Sequence, residues 1–512
     1  MKQQANNGTM MRQIVRGALT GYGLQFLSVP FTIAGSIYLL RSLSVTEYGV
    51  LALLLAVNLY LCVLSHLGIP TAIVRYLPEY RSQGRHKAVR MLLMWAFLIR
   101  YAVLAAMLGA TYWAIAPIAG LLNAPSLADH FGLFALFIVV DIGVQMCSAV
   151  LEALLLQPYL NLGQVVFAAI KLPLLVVFLG SGRGLDGAIA ALIVADVLLL
   201  GLYAGRVVHE LIRQHGGEGL QGDLARLVRY SRSWYLVKLS SLGFDVSTGL
   251  YLVSFFLGPA AAGLYAFACN TASQAMRFLS PSAYLWSALT PASVSGARHD
   301  NQLLTALCGL TSKAVLVFAL PVIAGVFLLG EKGISYVFGV QYASAALVFA
   351  FTTVAVYMAE LEQPVRMLMA VKEKIGALLV NRVLILYNLA AACILIPRFG
   401  IEGAVMATGT TTFFAVAITY IAARRYHPLS LPWRECARIA ANASVVGLVL
   451  LLLRPWVTDL ASLLAVALFA AALYVGLTLL RVPFTKGEIA LVRGGVSAGK
   501  DQTSPLMATA IS

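Results

Sequence analysis

Residues 234–257 read WYLVKLSSLGFDVSTGLYLVSFFL, a segment long and apolar enough to cross a bilayer. Two charged residues, Lys238 and Asp245, interrupt it. Counting about 1.5 Å per residue from Trp234, Asp245 lies roughly 16 Å along the helix, close to the bilayer midplane. A charge at this depth costs at least ~2.5 kcal/mol on insertion scales, so we expect it to face protein or water instead of lipid.

Polar residues recur every three or four positions in this segment and in the next one. Such spacing places them on one face of each helix. The first face carries Lys238, Ser241, Asp245 and Thr248. The second carries Asn270, Gln274 and Arg277. Two adjacent membrane helices with matching polar stripes predict a wet, partly cationic cavity inside a helical bundle.

The composition indicates a membrane protein. The 512 residues are 60% hydrophobic and only 11% charged, with a mean hydropathy of +0.87. A soluble domain carries about 25% charged residues, so this composition excludes one of substantial size. The net charge of +15 is dispersed between apolar segments, as in cytoplasmic loops, and is not concentrated in a basic domain that would bind nucleic acid. Six cysteines without CxxC spacing predict neither a metal site nor a disulfide framework, and we expect no cofactor.

Apolar segments predict an all-α, polytopic protein with about 14 transmembrane helices. The expected spans are 20–40, 48–68, 90–112, 131–154, 163–180, 185–205, 234–257, 260–281, 312–330, 342–363, 375–396, 402–423, 438–454 and 460–480. With the N-terminus inside, internal connections and tails hold 25 basic residues and external connections 5. This bias predicts that both termini are cytoplasmic.

The expected organisation follows from these spans. It comprises a cytoplasmic N-tail (1–19), an N-lobe of six helices (20–205), a cytoplasmic linker (206–233), a C-lobe of six helices (234–423), two further helices (438–480) and a cytoplasmic C-tail (481–512). The basic linker has two open interpretations, a solvated connector or surface helices on an anionic leaflet.

An internal repeat supports two parallel six-helix repeats followed by two C-terminal helices. Aligning Leu43 with Leu257 also aligns Gly49 with Gly263, an offset of 214 residues. Independently, GLDGAIA from Gly184 matches GIEGAVM from Gly400 at an offset of 216.

The polar stripe of the seventh span repeats in the first. At an offset of 213, Gln25, Ser28 and Thr32 correspond to Lys238, Ser241 and Asp245. The first copy therefore has the polar stripe without its charges, which predicts an electrically asymmetric cavity.

Two segments of this sequence resemble the polysaccharide (Wzx-type, O-antigen) flippases of the multidrug/oligosaccharidyl-lipid/polysaccharide exporter superfamily. They are RSLSVTEYG at 41–49, after the first span, and LGIPTAIVRYLPE at 67–79, closing the second. The six-plus-six-plus-two layout fits as well. The second repeat departs from the pattern, because LGPAAAGLY at 257–265 lacks the acidic residue.

The resemblance implies V-shaped lobes around a central cavity and a membrane transporter, not an enzyme. The implied activity is flipping of a polyprenyl-diphosphate-linked oligosaccharide from the cytoplasmic to the outer leaflet by alternating access. The implied setting is the bacterial inner (plasma) membrane during biosynthesis of O-antigen lipopolysaccharide, capsule or exopolysaccharide. Expected partners are the lipid-linked oligosaccharide, membrane lipids, and a glycan polymerase with its chain-length machinery, but no nucleic acid.

A diphosphate needs cations, because dehydrating it unpaired is costly. Lys238 and Arg277 are the first candidates, with Asp245, Asn270, Gln274, Gln25 and Thr32 completing the predicted cavity. The alternative for the two cations is that they extend to the membrane interface and bind nothing. Asp245 either takes part in proton coupling or neutralises Lys238 in the empty cavity, and we favour neutralisation.

Further charged residues lie within the predicted spans and have two open interpretations. Arg100, Lys171 and Arg382 either form steps along a transport path or pair with acidic residues as structural contacts. The candidate acids are Asp141, Asp196 and Glu360.

Two other function classes remain as alternatives. A drug or cation exporter of the same superfamily is one, although a cationic cavity would repel a cationic drug. A membrane enzyme acting on the same lipid-linked glycan is the other, although the sequence contains no paired-carboxylate, HExxH, nucleotide-binding or Ser/His/Asp pattern.

Overall fold

The computed structural model describes residues 27–212, 219–220, 223–239, 246–279, 301–371, 381, 383–425 and 433–480. Within them the chain is helical with short connections and no strand, which confirms the predicted all-α class. The helices are α1 (27–42), α2 (Val45–Leu64), α3 (Ile69–Ser82), α4 (His86–Leu121), α5 (Ser126–Ala153), α6 (Gln157–Gly180), α7 (Gly184–Ile212), α8 (Leu224–Leu239), α9 (Val246–Leu257), α10 (Pro259–Leu279), α11 (Asn301–Val337), α12 (Ala346–Val371), α13 (Leu384–Phe399), α14 (Ile401–Arg424), α15 (Trp433–Leu453) and α16 (Leu460–Leu480).

Ten helices in the described residues are long and apolar enough to cross a membrane. They are α2, α4, α5, α6, α7, α11, α12, α14, α15 and α16. Two shorter apolar helices, Ser247–Leu257 and Leu384–Phe399, are also present. The predicted count of 14 is therefore not confirmed. One reason is that the predicted span 234–257 is described as two pieces, the end of α8 and α9, with 240–245 outside the described residues.

The chain divides into two compact units, and the boundary falls between Ala266 and Phe267. In the first unit α5 packs against α7, α3 and α4, and α6 packs against α7. In the second, α12 packs against α11 and α14, while α15 packs against α11 and α16. The lobe and linker boundaries expected from the sequence stay a prediction.

The two copies of the Gly-x-x-Gly motif share a positive φ angle at the first glycine and a close backbone contact at the second. Gly184 and Gly400 have positive φ angles of 51° and 63°, which glycine adopts at little cost. Three residues later, a Cβ on Gly187 would lie 2.7 Å from the carbonyl oxygen of Phe178. A Cβ on Gly403 would overlap the carbonyl oxygen of Leu395 in the same way. Each motif therefore closes a tight helical hairpin, α6–α7 or α13–α14, as expected of a structural repeat.

Helix α8 is held against the ends of α2 and α3. The Tyr235 hydroxyl donates to the Leu64 carbonyl oxygen at 3.1 Å, where α2 ends. A Cβ on Gly68 would overlap the Ser231 carbonyl group, so the two backbones approach closely at this position. Glu79 on α3 accepts two hydrogen bonds from the Arg226 guanidinium, at 2.8 and 3.3 Å.

Candidate functional site

Lys238, the first predicted diphosphate ligand, lies in the last turn of α8 and is exposed. Its ammonium group is close enough to His66 to affect its titration. The imidazole of His66, in the turn after α2, has its pKa lowered to about 4 by burial and by the positive charges of Arg100 and Lys238. His66 is therefore neutral near pH 7. Lys238, His66 and Arg100 form a group at the end of α2, which we call the α2-end cluster.

Arg100 is completely buried on α4, with 0% of its surface exposed. Its Nη2 donates to Gln145 Oε1 at 2.9 Å. Its Nε and Nη1 atoms have no hydrogen-bond partner among the described residues. A buried guanidinium with two unsatisfied nitrogens is costly, which is typical of functional positions in membrane proteins.

Gln145 lies between Arg100 and Asp141 of α5, and it hydrogen-bonds both. The Asp141 Oδ2 atom accepts from Gln145 Nε2 at 2.9 Å and from Asn58 Nδ2 at 3.0 Å, and the Cys62 thiol donates to it at 3.6 Å. No nitrogen of Arg100 lies within 4 Å of an Asp141 oxygen in the described structure. The amide of Gln145 thus bridges the cation and the anion, which do not form a direct ion pair.

Sequence reasoning found both charges of this group but missed its neutral members. Asn58 and Cys62 are four residues apart on α2, and Asp141 and Gln145 are four apart on α5. Polar residues four positions apart lie on one face of a helix, so two such pairs on apolar helices are the sequence signal for a buried polar group between α2 and α5.

Lys171 on α6 and Asp196 on α7 attract each other electrostatically but do not approach within 4 Å in the described structure. The Lys171 ammonium instead lies 5.9 Å from the centre of the Phe167 ring. Asp196 is buried, with 6% of its surface exposed. The two residues are therefore a loosely associated pair inside the first unit.

The other predicted residues are dispersed. Thr32 on α1 is half-buried, and its hydroxyl donates to the Ser28 carbonyl oxygen at 2.9 Å. Asn270 is exposed on α10, and Gln274 on α10 and Glu360 on α12 are half-buried. Asp245, Gln25 and Arg382 lie outside the described residues, as does the side chain of Arg277.

The second unit contains a polar group that the sequence reasoning did not identify as a cluster. The buried Glu362 on α12 accepts from the Thr419 hydroxyl of α14 at 2.8 Å. Asn381 donates to Thr419 Oγ1 at 2.8 Å and to Glu362 Oε1 at 3.3 Å. The group links α12 to α14 through one shared carboxylate.

A model of the family described as polysaccharide biosynthesis protein matches residues 14–297. No curated protein matches the chain. The fold is similar to that of the lipid II flippase MurJ in an inward closed conformation, with a TM-score of 0.68, 13% identity, and coverage of 90% of this chain and 98% of that one.

Two multidrug transporters of known structure have the same fold. An inward-facing MATE family transporter of the MOP superfamily gives a TM-score of 0.64 at 12% identity, covering 80% of this chain and 98% of that one. The Vibrio cholerae MATE transporter VcmN, as a point mutant, gives 0.54 at 15% identity, covering 81% and 98%. The flippase/MATE-type fold and the family match, which extends over more than half of the residues, agree: this chain belongs to the polysaccharide biosynthesis protein family.

Proposed function

We propose that this protein flips a polyprenyl-diphosphate-linked oligosaccharide from the cytoplasmic to the outer leaflet by alternating access. The proposed setting is the bacterial inner membrane, with both termini cytoplasmic, and the product supplies O-antigen, capsule or exopolysaccharide synthesis. Membership in a polysaccharide biosynthesis family supports the glycan part of the substrate. The structural neighbour that is a lipid II flippase supports the lipid-linked part.

The α2-end cluster is the observation that carries the proposal. Lys238 and Arg100 both lie close enough to His66, in the turn after α2, to lower its pKa, and His66 is neutral near pH 7. Arg100 is fully buried with two nitrogens that have no hydrogen-bond partner among the described residues, and a cation in this state costs free energy. A diphosphate headgroup would offset that cost, and an arginine fork suits its oxygens.

The role of the remaining predicted residues follows from this assignment. Arg277 of α10 would be a third cation, and Asn270, Gln274, Gln25 and Thr32 would hydrogen-bond sugar hydroxyls. Asp245 would neutralise Lys238 when no substrate is bound. If collapse of the pH gradient changes translocation in reconstituted vesicles, and Asp245→Asn removes that response, Asp245 is instead a coupling residue.

The test measures surface glycan in a strain whose chromosomal copy of the gene is deleted and which expresses either the wild type or a variant. We expect the double variant Lys238→Gln, Arg277→Gln to lose surface glycan and accumulate the lipid-linked intermediate, while its membrane level stays that of the wild type. The control is Arg424→Gln, Arg425→Gln, which removes two exposed cations at the end of α14. Normal glycan display by the first variant would defeat the diphosphate assignment.

A drug or cation exporter is the second candidate, and the fold shared with a MATE family transporter favours it. The same deletion strain distinguishes the two functions. Increased drug sensitivity with unchanged surface glycan would replace the flippase proposal, whereas loss of glycan with unchanged drug sensitivity would support it. A membrane enzyme acting on the lipid-linked glycan would change the glycan structure itself, which mass spectrometry of the intermediate detects.

A further inference from the structure

Helix α8 has one face that is fixed against α3. The Tyr230 ring packs edge-on against the Tyr76 ring, with 5.4 Å between centroids. Leu227 is buried on the same side. Arg226 is held by Glu79 and also lies 5.0 Å from the Tyr76 ring centre. These contacts fix the rotation of α8 about its own axis, and therefore also which residues point away from the protein.

The opposite face of α8 is apolar and cationic, and it is exposed. Leu224 and Val228 have 64% and 60% of their surfaces exposed. With Ala225, Arg229 and Arg232 they line an open groove of about 650 Å³. Neither arginine has a carboxylate within 4 Å in the described part of the chain. Exposed leucine and valine beside uncompensated arginine is the pattern of a helix at a membrane surface.

The position of this groove along the chain matches the headgroup layer. Tyr235 is tied to Leu64, where the membrane-spanning helix α2 ends. The polar headgroup region of a bilayer is about 5–8 Å thick on each side. At about 1.5 Å per residue, Arg232 lies roughly 4.5 Å and Leu224 roughly 16.5 Å along α8 from Tyr235, so the site proposed below requires α8 to run along the membrane surface, which keeps all of these residues at headgroup depth.

We propose that the exposed groove of α8 binds the headgroup of an anionic phospholipid from the leaflet on this side of the membrane. Arg229 and Arg232, three residues apart, would hold the phosphate through paired N–H donors. Leu224, Ala225 and Val228 would contact the glycerol and the first methylenes of the acyl chains. The site is separate from the proposed substrate cations, because Lys238 lies about 9 Å further along the helix than Arg232.

Charge complementarity selects this occupant over a protein partner. Arg229 and Arg232 have no carboxylate within 4 Å among the described residues and line the groove together, and the anionic lipids of a membrane surface attract such a cationic pair. A bound lipid would also fix how deeply α8 sits in the membrane, and therefore the depth of Lys238, which lies in the last turn of this helix.

Native mass spectrometry of the full-length protein, released from nanodiscs of phosphatidylcholine and phosphatidylglycerol, tests the site. We expect Arg229→Gln, Arg232→Gln to retain phosphatidylglycerol about tenfold or more weakly than the wild type. The control Arg183→Gln, Arg398→Gln removes two exposed cations at hairpin turns and should retain it as the wild type does. Equal retention by the wild type and the α8 variant would overturn the proposal.

A photoreactive benzoylphenylalanine at Val228 provides a readout that keeps both arginines. Irradiation in the same nanodiscs should give an adduct with the mass of phosphatidylglycerol. An adduct with a second copy of this chain or with another protein would identify a protein interface and overturn the lipid assignment, as would absence of any phosphatidylglycerol adduct.

Discussion

Gly49 on α2 and Gly263 on α10 touch each other backbone to backbone. A Cβ on Gly49 would lie 3.0 Å from the Gly263 nitrogen and would overlap the Pro259 carbonyl oxygen. A Cβ on Gly263 would lie 3.1 Å from the Gly49 nitrogen and would overlap the Val45 carbonyl oxygen. The contact is reciprocal, and the two glycines are the pair that the internal repeat aligns. The equivalent positions of the two repeats therefore meet at one helix crossing.

Alanine at either glycine should destabilise the protein. Because the obstructing atoms belong to backbone, the helices must separate to admit a methyl group, and overpacking of this kind costs about 1–3 kcal/mol or more. We expect Gly49→Ala and Gly263→Ala to lower the thermal midpoint of the detergent-purified protein. The control is Gly109→Ala on α4, where no atom lies within 4 Å of the added Cβ. That variant should be unchanged or slightly more stable. A Gly49→Ala midpoint equal to that of the control would show that the crossing is loose.

The second repeated motif gives a prediction about backbone strain alone. Gly400 has φ of 63°, and no atom lies within 4 Å of a Cβ placed on it. With ψ of −141°, this conformation is one that only glycine adopts readily, so Gly400→Ala should cost backbone strain alone, about 1–3 kcal/mol. Gly409, nine residues later in α14, also has open space and has no positive φ. We expect Gly409→Ala to be neutral or stabilising, so the difference in thermal midpoint between the two variants measures the strain.

The sequence predicted features that depend on periodicity and repetition. Apolar runs located the helices, and the end points of the predicted span 460–480 match Leu460–Leu480. Of the glycines that the repeat aligns, Gly49 and Gly263 contact each other, and no space is left there for a Cβ. Gly184 and Gly400 both have positive φ angles, which glycine adopts most readily.

Features that depend on side-chain partners could not be predicted in the same way. The sequence names Asp141 as one of three acids with which Arg100 could pair, but in the structure Gln145 lies between them, accepting from Arg100 and donating to Asp141. Nothing in the spacing of residues on different helices fixes which polar groups meet. The sequence leaves the basic connection open between a solvated connector and surface helices for a similar reason, because the contacts that hold α8 against α3 join residues far apart in the chain.

Tyr80 on α3 has a buried hydroxyl for which the described residues offer no partner. Its pKa is raised to about 12, mainly by burial and also by the carboxylate of Asp223, against the opposing effect of Arg85. Tyr80→Phe removes an unsatisfied polar atom and should be neutral or slightly stabilising. Tyr203→Phe is the matched control, because the Tyr203 hydroxyl donates to the Leu160 carbonyl oxygen at 2.9 Å, and its loss should cost about 1 kcal/mol.

The pH dependence of stability provides a second readout for Tyr80. A folded-state pKa above the ordinary value of 10 means that the unfolded chain loses its proton first as the pH rises. The contribution of Tyr80 is therefore fully present below pH 10 and is lost between pH 10 and 12. We expect the Tyr80→Phe variant to lose less stability than the wild type over this interval, in thermal melts recorded at successive pH values. An identical decline would show that Tyr80 ionises as it would in water.

Variants of Arg100 and Gln145 test whether the buried polar group that these residues form with Asp141 is a structural contact or part of a transport path. The guanidinium is buried with two unsatisfied nitrogens, so replacing it by Met removes a desolvation cost as well as a single hydrogen bond. Removing one charge of a buried pair is costly when the other is left without partners, but Asp141 keeps its hydrogen bonds from Asn58 and Gln145, so we expect little loss of stability. Gln145→Met, in contrast, leaves Arg100 without its described acceptor and removes one donor to Asp141, which should cost about 1–3 kcal/mol.

The two variants should therefore separate stability from transport. We expect Arg100→Met to retain the wild-type thermal midpoint while surface glycan falls, because the positive charge near Lys238 is gone. Gln145→Met should lower the midpoint, and any glycan loss should scale with the amount of folded protein in the membrane. If Arg100→Met unfolds the protein as Gln145→Met does, the guanidinium is a structural contact. If it leaves both stability and glycan display intact, Arg100 does not act on the proposed anionic substrate, and Lys238 and Arg277 stay the two proposed substrate cations.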